Sequence, residues 1–230
     1  MISVIVPSMN SEADLAHTLS ALVPAAAEGV VREVIIVDGG SSDATERVAD
    51  AAGCDWLQLP GPRSKRLAKG ADCSKRGDWL LFLSADTMLQ SGWHHEAQTF
   101  IERVQRAGSA DRTAAAFKLR FEDFGMGARL SEMMAALRSR ILGMPYGNQG
   151  LLISRRFYTE LGGYRPLPEL EDLDLVKRIG RRRLVFLHSA AVSPGRGQEP
   201  GMVASLRKSF ARFCVGMLRV PPKLVVRLHG

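Results

Sequence analysis

Cysteine is scarce in this sequence, and the cysteines it has stand far apart. Among 230 residues there are three, Cys54, Cys73 and Cys214, and no two of them form a CxxC pair. An odd number at wide spacing argues against both a disulfide framework and a structural zinc site. A reduced, cytoplasmic setting therefore fits better than secretion.

Long apolar runs are also missing. The first seven residues lack a basic region and carry only a short apolar stretch, so they do not have the pattern of a signal peptide. No stretch approaches the roughly 18–20 apolar residues that a membrane span needs. We expect a protein that is cytoplasmic, at most peripheral on the inner face of the membrane.

The net charge of the whole chain is +7, and no acidic residue follows Glu199. The basic residues are not interleaved with aromatics in any pattern typical of nucleic-acid binding, so we expect no nucleic-acid partner. In residues 202–230, apolar residues fall near helical spacing between cationic ones. Two hypotheses stay open for this segment: a helix lying on a membrane surface, or a packing helix that closes the domain or forms a homodimer. We place the domain boundary between residues 192 and 193, where glycine and proline become frequent.

The hydrophobic content, 46%, suits one globular domain with a sizeable core. In the first half, short apolar runs alternate with amphipathic stretches. We predict strands at Ser3–Pro7, Arg32–Asp38 and Asp78–Leu83, and helices at Ser11–Leu22, Asp43–Ala52 and Ser64–Arg76. Alternation of this kind, with nearly continuous apolar strands, predicts a parallel sheet with helices on both faces.

The second half follows a different pattern. Residues 117–122 alternate between apolar and polar, which predicts a half-exposed, antiparallel strand. Further strands are predicted at 150–154 and 183–188, and helices at 127–142 and 171–180. The fold class predicted from both halves is a Rossmann-like mixed α/β sheet that is parallel at its start.

Polar residues follow the predicted parallel strands. The first strand ends at Pro7 and is followed by Asn10, the second ends at Asp38 and is followed by Gly39, and the third is followed by residues 84–87. In parallel sheets, ligands bind outside the carboxyl ends of the strands. A carboxylate such as Asp38, ending an apolar strand, must be hydrated, paired or bound to a ligand. Gly39 allows a close approach of the backbone.

Four segments carry a resemblance to a known family. They are Val4-Ile5-Val6-Pro7 with Asn10, Val37 through Asp43, Gly77 through Thr87, and Glu171-Asp172, with Gly162-Gly163-Tyr164 as a further feature. In this order and spacing the sequence resembles family-2 glycosyltransferases of the GT-A fold. Within that family it is most similar to the short bacterial enzymes labelled radical-SAM/selenodomain-associated.

The resemblance implies roles for the matching positions. Asp38 would hold the base or ribose of a nucleotide-diphospho-sugar donor, in a pocket that Pro7, Asn10 and Gly39 shape. Ser84, Ala85 and Asp86 match the DxD pattern, whose last aspartate contacts Mg²⁺ or Mn²⁺ on the donor diphosphate. Asp172, beside the donor-site residue Glu171, matches the catalytic base that activates the hydroxyl of an unknown acceptor.

Elementary chemistry is consistent with those roles. The leaving nucleoside diphosphate gathers negative charge, which a hard divalent cation neutralises through carboxylate and phosphate oxygens. A single general base on the opposite face of the sugar gives inversion at the anomeric carbon.

Two positions depart from the family pattern. Ser84 replaces the first aspartate of DxD, so that metal binding would rest on Asp86 and the diphosphate. Ala68 stands where similar enzymes often have asparagine. The basic residues around it, Lys65 and Lys69 together with Arg63 and Arg66, either face the donor phosphates or form a solvated helix face.

Several of these residues also have a purely structural explanation. Asp43 is equally a helix N-cap, and acidic residues at 171–174 also offset a helix dipole. His188 either reaches the metal or is structural, and His94 and His95 resemble surface residues.

Two other functions stay open: a silent sugar-nucleotide-binding scaffold, and a nucleotidyltransferase, which lacks support because no glycine-rich basic loop follows the first strand.

Overall fold

The computed structural model describes residues 1–121 and 149–193. The predicted helix at 127–142 and the segment 202–230 lie outside those residues. The domain boundary at 192/193 stays a prediction.

The described part of the chain contains one eight-stranded sheet. Its strands are β1 (Ile2–Ser8), β2 (Val31–Asp38), β3 (Asp55–Gln58), β4 (Trp79–Phe82), β5 (Met88–Leu89), β6 (Ala114–Phe121), β7 (Leu151–Ser154) and β8 (Leu184–Ser193), in the order β3-β2-β1-β4-β7-β6-β8-β5. The pairs β2–β3, β1–β2 and β1–β4 are parallel, which confirms the predicted parallel half.

The second half of the sheet is mixed. Strand β7 runs antiparallel to both β4 and β6, and β5 runs antiparallel to β8. Strand β6 was predicted to be antiparallel. That is true of its pairing with β7, but it pairs in parallel with β8. The sheet is therefore the mixed α/β sheet that the sequence predicts.

Seven helices flank the sheet in the described residues. They are α1 (Glu12–Ser20), α2 (Val23–Ala27), α3 (Thr45–Ala51), α4 (Arg63–Cys73), α5 (Trp93–Arg106), α6 (Arg155–Glu160) and α7 (Glu171–Ile179). The predicted helix 11–22 ends earlier than expected, and a second short helix follows it with Pro24 in its first turn. Proline suits that position because it has no N–H to leave unpaired.

Strand β1 shows how the two faces are filled. Ile2, Val4 and Val6 pack with helices α1, α2, α3 and α5, whereas Ile5 packs with α4, α6 and α7. Successive side chains of a strand point to opposite faces, so a strand buried on both sides must be apolar throughout. The predicted cover on both faces is confirmed.

Helix α4 lies unusually close to the sheet at Gly70. A Cβ atom there would lie 2.4 Å from Ile5 Cγ2 and 3.1 Å from Val37 Cγ2. Only glycine permits that approach. It brings the first turn of α4, which begins at Arg63, to the edge where the parallel strands end.

Across residues 1–121 and 149–193, none of the helices combines the length and the apolar character needed to cross a membrane.

Candidate active site

Asp38 ends β2 with its side chain fully buried. Its carboxylate accepts hydrogen bonds from Ser8 Oγ at 2.9 Å, Gly40 N at 2.7 Å, Ser41 N at 2.6 Å and Ser41 Oγ at 2.5 Å. Burial acts to raise the pKa of Asp38, but these hydrogen bonds outweigh it, and the pKa lies below its ordinary value. Asp38 thus holds the loop after β2 in place, and its contact with a nucleotide stays a prediction.

Asn10 joins the loop after β1 to the loop after β2. Its side-chain oxygen accepts from Ser42 N at 2.9 Å, and its own N–H donates to Ser41 Oγ at 2.7 Å. It has a left-handed backbone, with φ of 47°. Asparagine tolerates that conformation better than most residues. Pro7 lies buried in β1, opposite Val37. The two predicted pocket residues thus sit at one edge of the sheet with Asp38.

Gly39 makes room for a buried arginine. A Cβ at this position would lie 2.4 Å from Arg66 Nη1 and 2.8 Å from Met9 Sδ. Arg66 is 9% exposed, and its Nη1 donates to the carbonyl of Gly61 at 2.8 Å. Its Nε has no hydrogen-bond partner within the described part of the chain. Burial and the neighbouring charge of Arg63 lower the pKa of Arg66.

Arg63 is the first residue of α4, and its side chain contacts the first turn of α7. Its Nη1 donates to Glu171 Oε1 at 2.7 Å and to Asp172 Oδ2 at 2.6 Å, and its Nη2 donates to Ser84 Oγ at 3.2 Å. Burial disfavours the charge on Arg63, but the two carboxylates outweigh it and raise its pKa further. A permanent positive charge therefore links the predicted base to the DxD-like segment.

Asp172 has a second partner in Tyr164. The Tyr164 hydroxyl donates to Asp172 Oδ1 at 2.8 Å, so both carboxylate oxygens are held. Burial, and then the negative charge of Asp172, raise the pKa of Tyr164 well above its usual value. The phenol therefore stays a hydrogen-bond donor.

Leu170 immediately precedes this acidic pair and adopts a left-handed backbone with φ of 63°. This conformation costs free energy for a residue with a Cβ atom. Here it turns the chain into α7, so that Glu171 is buried while Asp172 is half-exposed.

The segment after β4 supplies oxygen atoms. Asp86 is half-buried, and its Oδ1 accepts from Thr87 Oγ1 at 3.5 Å. The carbonyl of Ala85 accepts from Thr18 Oγ1 at 2.8 Å, which fixes the segment on α1. One carboxylate and one hydroxyl, from Asp86 and Ser84, are oxygen donors of the kind that Mg²⁺ and Mn²⁺ accept. The residues present therefore fit such an ion when phosphate oxygens complete its shell.

The basic cluster divides into two groups. Lys65 and Lys69 are exposed. Arg63 is half-buried beside the acidic pair, and Arg66 is buried beside Gly39. The direct roles predicted for Lys65 and Lys69 remain predictions. Sequence reasoning placed Arg63 in the cluster but did not assign it a partner.

Two predictions about individual residues require correction. His94 is 4% exposed and not a surface residue, because the first turn of α5 packs against the sheet. Asp43 is not the N-cap of helix α3, which begins at Thr45 with Ala44 as its N-cap, so that Asp43 lies one residue before the cap. Asp43 still accepts a hydrogen bond from Thr45 N at 3.1 Å. For His188, the structure favours the structural alternative, because its exposed side chain pairs with Glu96 at 3.1 Å.

The comparison with family models agrees with this geometry. Residues 3–148 match the model of glycosyl transferase family 2. The chain belongs to glycosyl transferase family 2. It is a glycosyltransferase with the GT-A fold. No curated protein matches it in sequence.

Solved structures share its fold at low identity. Glucosyl-3-phosphoglycerate synthase from Mycobacterium tuberculosis, in complex with Mn²⁺, uridine diphosphate and glucosyl-3-phosphoglycerate, is 21% identical with a TM-score of 0.61, covering 96% of this chain and 81% of that one. The same enzyme with Mn²⁺ and UDP-glucose gives 20% identity and a TM-score of 0.61, covering 96% of this chain and 80% of that one. TarS from S. aureus gives 18% identity and a TM-score of 0.64, covering 99% of this chain and 42% of that one.

Proposed function

We propose that this enzyme transfers a sugar from a nucleotide-diphospho-sugar to an acceptor hydroxyl with inversion, and that Asp172 is the general base. One observation carries the proposal: a half-exposed carboxylate, fixed on both oxygens by Arg63 and Tyr164, is linked through Arg63 to the Ser84–Asp86 segment at the ligand-binding edge of the sheet. An inverting transfer needs one positioned base and a site for an anionic leaving group.

The donor site is proposed at the carboxyl ends of β1, β2 and β4. Asp38 and Asn10 order the loops there, and Pro7 and Gly39 shape them. The buried Nε of Arg66 is a donor available to an oxygen of the nucleotide. Complexes of the mycobacterial synthase with uridine diphosphate and UDP-glucose support a uridine donor as the first to test.

A divalent cation, Mg²⁺ or Mn²⁺, is proposed at Asp86 with Ser84 nearby. When bound, it neutralises charge on the diphosphate as the glycosidic bond breaks. Because Ser84 replaces a carboxylate, the protein offers the ion few ligands, and we expect weak metal binding until the donor phosphates are present. The mycobacterial synthase was crystallised with Mn²⁺ and with Mg²⁺ together with uridine diphosphate.

Arg63 serves both sides of the reaction in this proposal. Its guanidinium orients Asp172 and contributes a fixed positive charge beside Ser84. The DxD pattern would place a second carboxylate at position 84, and here the positive charge of Arg63 lies beside that position instead. This charge stabilises negative charge on the departing diphosphate. In this proposal the charge of Arg63 compensates for the missing first aspartate of the DxD pattern.

The test is a thermal-shift and donor-hydrolysis experiment. Uridine, guanosine and adenosine diphosphates are added with and without Mn²⁺, and release of nucleotide is then measured from the matching sugar donors. We expect stabilisation that requires both one nucleotide and the metal, together with slow turnover. The Asp86→Asn variant should lose the part of the thermal stabilisation that depends on the metal. Binding without any turnover would support the silent-scaffold alternative instead.

The finer assignments also belong to this proposal. Membership of the radical-SAM/selenodomain-associated group, a cytoplasmic location and a peripheral or dimeric role for residues 202–230 rest on sequence patterns alone. Co-sedimentation with anionic liposomes, with and without residues 202–230, tests the membrane hypothesis, and equal pelleting of both forms would contradict it.

A further inference from the structure

Three side chains converge on the face of the sheet that carries α1, α2, α3 and α5. Glu28 follows the last residue of α2, and His94 and His95 lie in the first turn of α5. His94 Nε2 is 3.2 Å from Glu28 Oε1, and His95 Nδ1 is 3.7 Å from Glu28 Oε2. The ligand atoms of all three lie within 4.8 Å of one another.

The direction of the two rings is unusual for neighbouring helical residues. Consecutive residues of an α-helix point about 100° apart, so their side chains do not ordinarily face each other. Here the ring centroids of His94 and His95 are 4.1 Å apart, and a nitrogen of each ring approaches the same carboxylate. The side chains therefore converge although the helix itself separates them.

Burial adds a second observation. His94 is 4% exposed, and its Nδ1 has no hydrogen-bond partner among residues 1–121 and 149–193. Nε2 thus makes the polar contact that compensates the buried imidazole, and that contact points into the cluster. A buried polar ring needs such a partner, because leaving it unpaired costs free energy.

We propose that Glu28, His94 and His95 form a binding site for a transition-metal ion, with Zn²⁺ as the expected occupant. Zinc is held at about 2.0–2.1 Å by nitrogen and carboxylate oxygen, so its tetrahedral ligands lie roughly 3.3 Å from one another. The distances of 3.2 Å and 3.7 Å in this cluster approach that edge length. Water would complete the fourth position.

The ligand chemistry separates this site from the donor site. Two imidazoles favour zinc and similar borderline metals, whereas Asp86 and phosphate oxygens favour Mg²⁺ and Mn²⁺. Bound zinc would join the end of α2 to the start of α5 across one face of the sheet. Its expected effect is on stability, independently of sugar transfer.

The experiment uses the full chain without an affinity tag, stripped of metal by a chelator that is then removed. Zn²⁺ is added, and bound metal is measured by equilibrium dialysis with elemental analysis. Co²⁺ is added separately, because its visible absorption reports a tetrahedral site. Trp93 offers a further signal, since its ring centroid is 5.9 Å from that of His94 and Cu²⁺ at the site would quench its fluorescence.

The variants are His95→Ala and Glu28→Gln, whose side chains are 64% and 46% exposed and whose replacement should leave the fold intact. The matched control is His188→Ala, which disrupts another histidine–glutamate pair, with Glu96. We expect one Zn²⁺ per chain in the wild type and the control, and at least tenfold weaker binding in both test variants. Absence of stoichiometric zinc in the wild type, or equal binding by His95→Ala, would overturn the proposal.

Transfer activity gives the independent comparison. His95→Ala should retain the Mn²⁺-dependent donor hydrolysis of the wild type while losing the stabilisation by zinc. If zinc binds but donor hydrolysis is absent, the proposed function fails and the zinc proposal stands. If hydrolysis occurs but zinc does not bind, only the zinc proposal fails.

Discussion

Arg63 Nη1 lies 2.6 Å from Asp172 Oδ2, although the two residues are 109 positions apart in the chain. The pair joins the first turn of α4, which follows β3, to the first turn of α7. Arg63 also donates to Ser84 Oγ at 3.2 Å, so one guanidinium contacts both the proposed base and the segment proposed to bind the metal.

Replacement of Arg63 by glutamine should destabilise the protein. Glu171 is 6% exposed and would lose its ion-pair partner. Breaking a buried pair from one side costs roughly 3 kcal/mol, which for a domain of this size lowers Tm by roughly 6–12 °C. Scanning calorimetry measures the change. The control is Arg106→Gln, because Arg106 pairs with Glu102 at the exposed surface and its loss should cost less than about 1 kcal/mol. Equal effects of the two variants would contradict the buried-pair assignment.

Replacement of Asp172 by asparagine should remove turnover but spare donor binding. An amide cannot accept the acceptor's proton, and the loss of a general base typically costs about 10²–10⁴-fold in rate. Nucleotide release is followed together with metal-dependent thermal stabilisation by nucleoside diphosphate. Asp174→Asn is the control, since Asp174 sits in the same turn but pairs with Arg178 at 2.6 Å. Its variant should lose stability and keep turnover, and an unaffected Asp172→Asn enzyme would exclude Asp172 as the base.

The elements with strong local signals could be predicted from sequence. Strands β1 and β4 are buried along their whole length, β2 contains the buried apolar run Ile35–Val37, and α7 has acidic residues in its first turn with buried residues at helical spacing. Strand β3 was missed because its four residues are half-buried or exposed. Strand β5 has two residues, too few for any periodicity.

Partnerships between distant residues could not be predicted. The sequence shows a basic cluster at residues 63–69 and an acidic pair at 171–172, but nothing in it indicates that Arg63 alone reaches the pair. Asp38 was recognised as needing a partner, yet its partners are the Ser8 hydroxyl at the end of β1 and two backbone N–H groups and the Ser41 hydroxyl in the loop after β2. His94 looked like a surface residue because its burial depends on the packing of α5, not on its immediate neighbours.

Replacement of Tyr164 by phenylalanine should lower turnover without changing the fold. Its hydroxyl fixes Asp172 Oδ1, so loss of this contact should misplace the proposed base and lower kcat, by less than the roughly 10²–10⁴-fold that a general base contributes, with little change in the donor KM. Steady-state kinetics measures both constants. Tyr158→Phe is the matched control, because that hydroxyl accepts from Tyr164 N at 3.0 Å. If Tyr158→Phe lowered kcat as much, loss of local packing rather than of the Asp172 contact would be responsible.

Glu96 provides a prediction for acid stability. Its carboxylate accepts from His188 N at 2.6 Å, Ser189 N at 2.7 Å and Ser189 Oγ at 2.6 Å, where the register of β8 against β6 is irregular. Burial acts to raise the pKa of Glu96, but the hydrogen bonds from His188 and Ser189 lower it from 4.5 to about 2.

Because the folded-state pKa of Glu96 is depressed, its contribution is fully present above the unfolded value of 4.5 and is lost as pH falls toward about 2. A shift of this size corresponds to about 3 kcal/mol. Urea denaturation of the wild type and Glu96→Gln should therefore differ most above about pH 5 and converge near pH 2. The exposed Glu102→Gln variant on the same helix should follow the wild type throughout. A difference that stays constant between pH 2 and pH 7 would show that Glu96 acts through packing and not through its charge.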